Sequence, residues 1–117
     1  LLTTDDVPQL VGGPRSPVLL ALTCNIAHFA YPGYRFLGEE LIVQPGGGAM
    51  AVYAPTGLSY DGPAVQLGRH LLPALLAAPG TVLGDAILHG VRGYAATGDL
   101  TLLPAYNLLG DPVLAIK

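Results

Sequence analysis

The sequence predicts an α/β protein, a mostly parallel sheet flanked by helices, and three observations predict it. Segments with strand and helix character alternate in the order helix, strand, helix, strand, helices, strand, which is the layered pattern of that class. The run Val18–Thr23 is continuously apolar rather than alternating, as expected of a strand covered on both faces of a parallel sheet. The chain is 51% hydrophobic and only 11% charged, against roughly 25% charged in an ordinary soluble domain. That deficit points either to a membrane segment or to apolar faces that another surface covers.

In chain order, Thr4 followed by Asp5 and Asp6 reads as a helix start, with a hydroxyl cap and acidic residues at the positive end of the helix dipole. Pro8 is tolerated in a first turn, and Gly12–Gly13–Pro14 stops the helix. Val18–Thr23 is the first strand, ending on Cys24. The loop CNIAHFAYPG leads to a short helix over Arg35–Val43, closed by the PGGG turn at Pro45–Gly48. Ala49–Ala54 is a second buried strand. A helix follows over Pro63–Ala77, with Pro63 suited to its first turn and Pro73 expected to kink or split it. Thr81 caps a further helix in which Val82, Leu83, Ala86, Ile87, Gly90, Val91 and Tyr94 recur at helical spacing. ATGDL turns the chain, and AYNLLGDPVLAIK supplies a last short strand. The 117 residues suffice for one domain with one core.

Several functions are disfavoured at once. A spanning helix needs about 20 successive apolar residues. The longest candidate, Leu71–Gly84, is shorter and carries Pro73, Pro79 and Gly80, so no membrane span is expected and a covering surface is the better account. The net charge of −3 and five scattered basic residues (Arg15, Arg35, Arg69, Arg92 and Lys117) offer no stripe for nucleic acid. A single cysteine excludes an intrachain disulfide and any thiolate-rich metal site; neither a metal nor a cofactor is expected. The opening LLTTDD carries no initiator Met, signal peptide or tag, and reads as a piece of a longer protein.

Ligands of open α/β sheets bind beyond the carboxyl ends of the strands. Cys24 lies at such an end, and Ala54–Ser59 leaves the second strand at the same end if the two strands run parallel. That arrangement suits a thiol nucleophile near backbone donors for an oxyanion. Position alone favours the other reading, a small buried hydrophobe.

Longer strings decide between them. PVLLALTCNIAHF, GGGAMAVYAPTGLSYDG, LGDAILHGVRGYAA and AYNLLGDPVLAI, in this order, resemble the second half of the gingipain-type cysteine peptidase domain. The resemblance spans nearly the whole chain, and YNLLGDP is its most distinctive phrase. It implies a caspase-like α/β fold in which residues 1–117 form the C-terminal portion of a single peptidase domain. It implies that Cys24 is the nucleophile of a cysteine endopeptidase, with its own N–H as an oxyanion donor. Thr56, Gly57 and Ser59 fall in the loop that helps form the S1 pocket, and Asn107–Pro112 read as a structural closing turn. The implied partners are a peptide or protein substrate and the missing N-terminal portion of the same domain, in a secreted or cell-surface protein if like the family.

One departure stands out. The family's basic histidine lies in a His-Gly motif upstream of the cysteine, before this chain begins. His89–Gly90 mimics that motif, but it follows the cysteine and sits in a helical pattern. His70 reads as a surface residue, and His28 as a residue of the site's rim in reach of substrate. The fragment alone is therefore expected to be inactive. The rival readings are a non-catalytic caspase-like module for binding or assembly, and an unrelated α/β ligand-binding domain.

Overall fold

The structure, a computed structural model, describes residues 2–12 and 16–116. A 3-10 helix over Thr4–Gln9 precedes strand β1 (Val18–Leu20), helix α1 (Leu37–Val43), strand β2 (Ala51–Pro55), helices α2 (Asp61–Leu75) and α3 (Leu83–Ala95), and strand β3 (Tyr106–Gly110). The sheet order is β1-β2-β3. β1 runs parallel to β2, with Val18 opposite Ala51, and β3 runs antiparallel to it, with Tyr106 opposite Pro55.

β2 is buried throughout and organises the core by simple alternation. Ala51 and Tyr53 face a cluster with Leu67 and Leu71 of α2 and Leu83, Ile87 and Tyr94 of α3. Val52 and Ala54 face the opposite side, against Val7, Ala27 and Leu41. Successive strand side chains point to opposite faces, so one five-residue strand carries two apolar layers. The result is helices on both sides of a sheet.

The sheet is mixed, not mostly parallel. The antiparallel direction of β3 is set by the return from α3, which brings the chain back beside β2. Nor is Val18–Thr23 a strand along its length. β1 stops at Leu20, is half-buried, and is an edge of the described sheet. Ala21 N–H still donates to Tyr53 O at 3.1 Å, after which the chain lifts away and Leu22 packs over Gly68, where a Cβ would lie 2.6 Å from Leu22 Cδ1.

Other boundaries shift for identifiable reasons. The first helix is a 3-10 turn capped at Thr3 rather than Thr4, because the Asp6 carboxylate accepts both the Thr3 N–H (2.7 Å) and the Thr3 hydroxyl (2.8 Å). It ends at Gln9, so the Gly12–Gly13–Pro14 stop is not what terminates it, and beyond Gly12 that stop lies outside the described residues. Pro73 does not split α2. It stands in the last turn, where its missing N–H costs one bond just before the helix ends. Thr81 does not cap α3: its hydroxyl donates to Ala78 O at 2.6 Å, and Val82 occupies the cap position.

Among the described residues no strand pairs with the outer edge of β1, and apolar hollows flank that edge. One, of about 500 Å³, is lined by Val18, Leu20, Leu72, Leu76, Leu114 and Ile116, among others. The other, of about 290 Å³, includes Leu10, Leu19 and Leu41. Among the described residues no helix is long and apolar enough to cross a membrane, and no group of three or more His, Cys, Asp or Glu could hold a metal ion.

Candidate active site

The parallel pairing of β1 and β2 brings their carboxyl ends to one edge, and the cysteine turn is laced there to the loop after β2. Asn25 N–H donates to Gly57 O (3.0 Å) and Ala27 N–H to Pro55 O (3.0 Å). Between Ala21 and Asn25 the chain arches outward and presents Cys24, a free and exposed thiol. Cys24 N–H has no backbone partner among the described residues.

Asn25 makes this arch possible. Its φ is +57°, a left-handed conformation that no other described residue except glycines adopts. Asparagine tolerates that region better than any β-branched residue, so it reverses the chain immediately after the cysteine. Asn25→Gly is expected to leave stability within about 0.5 kcal/mol, since glycine adopts this φ freely. Asn25→Val is expected to cost about 2 kcal/mol. Urea unfolding of the two variants side by side checks the contrast; equal stabilities would contradict it.

The sulfur meets the loop after β2 at Ser59. Cys24 Sγ–H donates to Ser59 O (3.3 Å), and Ser59 N–H donates to Cys24 Sγ (3.4 Å). The Ser59 hydroxyl shares a hydrogen bond of 2.8 Å with the Tyr106 hydroxyl. Thr56 holds the other end of the loop. Its N–H and hydroxyl both donate to Ala105 O (2.8 and 3.1 Å), and the Asn107 amide donates to Thr56 Oγ1 (3.5 Å). A Cβ on Gly57 would meet nothing within 4 Å, so its bare backbone borders open space. Leu58 and Tyr60 are exposed beside it.

Of the residues read from the sequence, Cys24, Thr56, Gly57 and Ser59 are therefore brought together. His28 is not joined to them by any hydrogen bond among the described residues. Its ring lies against Phe36 (centroids 5.2 Å apart) and edge-on to Tyr31 (6.1 Å), in an aromatic cluster with Tyr34. His89 is exposed on α3, and Gly90 has a packing reason of its own: a Cβ there would lie 2.8 Å from Leu71 Cα. His70 is half-buried on α2, not a surface residue, because Gly93 of α3 lets its ring approach: a Cβ there would lie 2.7 Å from His70 Nδ1.

Two site residues escaped the sequence reading. Asn107–Pro112 is not a closing turn: Tyr106–Gly110 is strand β3, and the turn begins at Asp111, whose carboxylate accepts Val113 N–H at 3.0 Å. Tyr106 and Asn107 thus reach the loop beside the thiol. Burial, followed by the neighbouring Cys24, pushes the Tyr106 hydroxyl above the ordinary tyrosine range, against the lowering effect of its Ser59 bond. The group stays protonated in neutral solution. Behind it, burial pushes Tyr53 up to about 12, with Tyr106 adding to the effect.

A strand-end thiol, an adjoining glycine-containing loop and the closing phrase YNLLGDP, whose first five residues are β3, agree with a family match. Peptidase family C25 matches residues 1–117. The chain belongs to that family. Two solved structures share the fold of this C25 chain, each with a TM-score of 0.84 at 19% identity. One is gingipain R (RgpB), described as an Arg-specific cysteine proteinase; the other is the complex of the pro- and mature domains of RgpB from Porphyromonas gingivalis. Each likeness covers 97% of this chain and 29% of the solved chain. The C25 chain thus spans under a third of the length of either solved chain. None of the curated protein sequences matches it.

Proposed function

We propose that residues 1–117 are the C-terminal, nucleophile-bearing portion of a single caspase-like cysteine peptidase domain, with Cys24 as the nucleophile. The observation that carries this reading is the placement of one exposed thiol at the carboxyl edge of the parallel β1–β2 pair, arched outward by left-handed Asn25 and bordered by Thr56–Ser59. Membership of a peptidase family and the gingipain fold support it.

In this mechanism the Cys24 thiol gives its proton to a histidine supplied from upstream, and the thiolate attacks the scissile carbonyl carbon. A C–S bond forms, and the carbonyl oxygen takes the negative charge. The free Cys24 N–H donates to that oxyanion. Collapse breaks the C–N bond, the histidine protonates the departing amine, and a thioester remains. Water, activated by the same histidine, releases the acid and restores the thiol. Thr56, Gly57 and Ser59 line the pocket for the substrate side chain, and Gly57 leaves room for it. His28 contacts substrate at the rim.

The rest of the domain packs along the open edge of β1. An exposed strand edge is a template for a further strand, and the apolar hollows beside it would be covered by the same addition. The test is hydrolysis of a peptide panel by the full-length protein and by the isolated 117-residue chain. Cleavage is expected from the former only. Hydrolysis by the isolated chain, lost in Cys24→Ala, would contradict the requirement for an upstream histidine.

A further inference from the structure

We propose that Tyr106, acting through Ser59, is a positioning residue for the Cys24 sulfur. The inference rests on the reading of Cys24 as nucleophile and adds to it a residue on the far side of the sheet.

Ser59 links the two residues. Its N–H and C=O both meet Cys24 Sγ, at 3.4 and 3.3 Å, and its hydroxyl meets the Tyr106 hydroxyl at 2.8 Å. Hydrogen bonds to sulfur are long and weak, so the sulfur cannot hold Ser59 in place. The packing of its neighbours adds little, because Leu58 and Tyr60 are 64% and 58% exposed. The bond to Tyr106, at 2.8 Å, is the shortest hydrogen bond that Ser59 makes among the described residues.

Tyr106 is itself firmly placed. It is 5% exposed, pairs with Pro55 in the β2–β3 ladder, and packs its ring against Tyr53 with centroids 5.6 Å apart. The hydroxyl is therefore carried by a rigid body that spans from β3 to the loop beside the thiol. The other end of the loop is fixed to the same strand connection, by Thr56 on Ala105 O and by Asn107 on Thr56. Both ends of the loop thus refer the sulfur's position to β3. A nucleophile misplaced by about 1 Å can lose about a hundredfold in rate, so such a reference has kinetic consequences.

The experiment uses full-length protein. Tyr106→Phe keeps the ring and its packing on Tyr53 and removes only the hydroxyl. We expect kcat to fall about tenfold, with the thermal midpoint within about 3 °C of wild type. Ser59→Ala should give the same loss, the double variant no more than either single one, and Ser59→Thr should recover the rate. Additive losses in the double variant, or an unchanged kcat in both single variants while Cys24→Ala is inactive, would overturn the positioning role and leave the nucleophile in place. Undiminished hydrolysis by Cys24→Ala would overturn the reading beneath it. Should Tyr106→Phe fold poorly, Ser59→Ala and its rescue by threonine decide the matter alone.

Discussion

Cys24→Ala in the full-length protein is expected to lower kcat/KM for a cleaved peptide by at least about 10⁴-fold. The thiolate is the only group in the mechanism that bonds to the substrate, so its removal eliminates the acyl-enzyme path rather than weakening it. The fold should tolerate the change. The side chain is exposed, and its bonds are to the backbone of Ser59, at 3.3 and 3.4 Å. Losing such bonds costs about 1 kcal/mol. Activity and stability therefore separate cleanly: an inactive variant that unfolds near the wild-type midpoint attributes the loss to chemistry. Residual activity above about a tenth of wild type would contradict the assignment.

Gly90→Val is expected to destabilise the protein by about 3 kcal/mol, and Gly90→Ala by about 2 kcal/mol. In an exposed helix the alanine change gains up to about 1 kcal/mol from propensity. Here the sign reverses. A Cβ on Gly90 would stand 2.8 Å from Leu71 Cα and 3.1 Å from His70 O, both backbone atoms of α2 that cannot turn aside. The seam between α2 and α3 would have to open, and it holds Leu67, Leu71, Leu83, Ile87 and Tyr94. Gly62, in the first turn of α2, supplies the control, because a Cβ there meets nothing within 4 Å. Gly62→Ala should be neutral or stabilising in the same urea titration. A stabilised Gly90→Ala would show that the helices do not approach as described.

The same glycine illustrates what composition can reveal. Helical spacing is enough to place α3, but the contact with Leu71 that explains Gly90 lies in another helix and has no local signature. β2 was legible within two residues, because five buried positions need an unbroken apolar run. Val18–Thr23 was overextended for the same reason. An apolar run reads alike whether it pairs in a sheet or, as at Leu22, packs over a helix. Cys24 and Thr56–Ser59 could be brought together from sequence because parallel strands share a carboxyl edge. Tyr106 could not, since its approach depends on the antiparallel register of β3, which is set by long-range return of the chain. Asn25 stood beside the cysteine throughout, but its left-handed turn follows from the lacing to Gly57 and Pro55, not from its identity alone.

The most direct measurement is covalent labelling of the full-length protein with electrophilic peptide ketones that carry different P1 side chains, followed by mass mapping of the modified residue. The account predicts stoichiometric modification at Cys24, loss of peptidase activity in step with it, and rates that depend on the P1 group. Loss of activity with Cys24 unmodified, or labelling of Cys24 without any effect on hydrolysis, would contradict it.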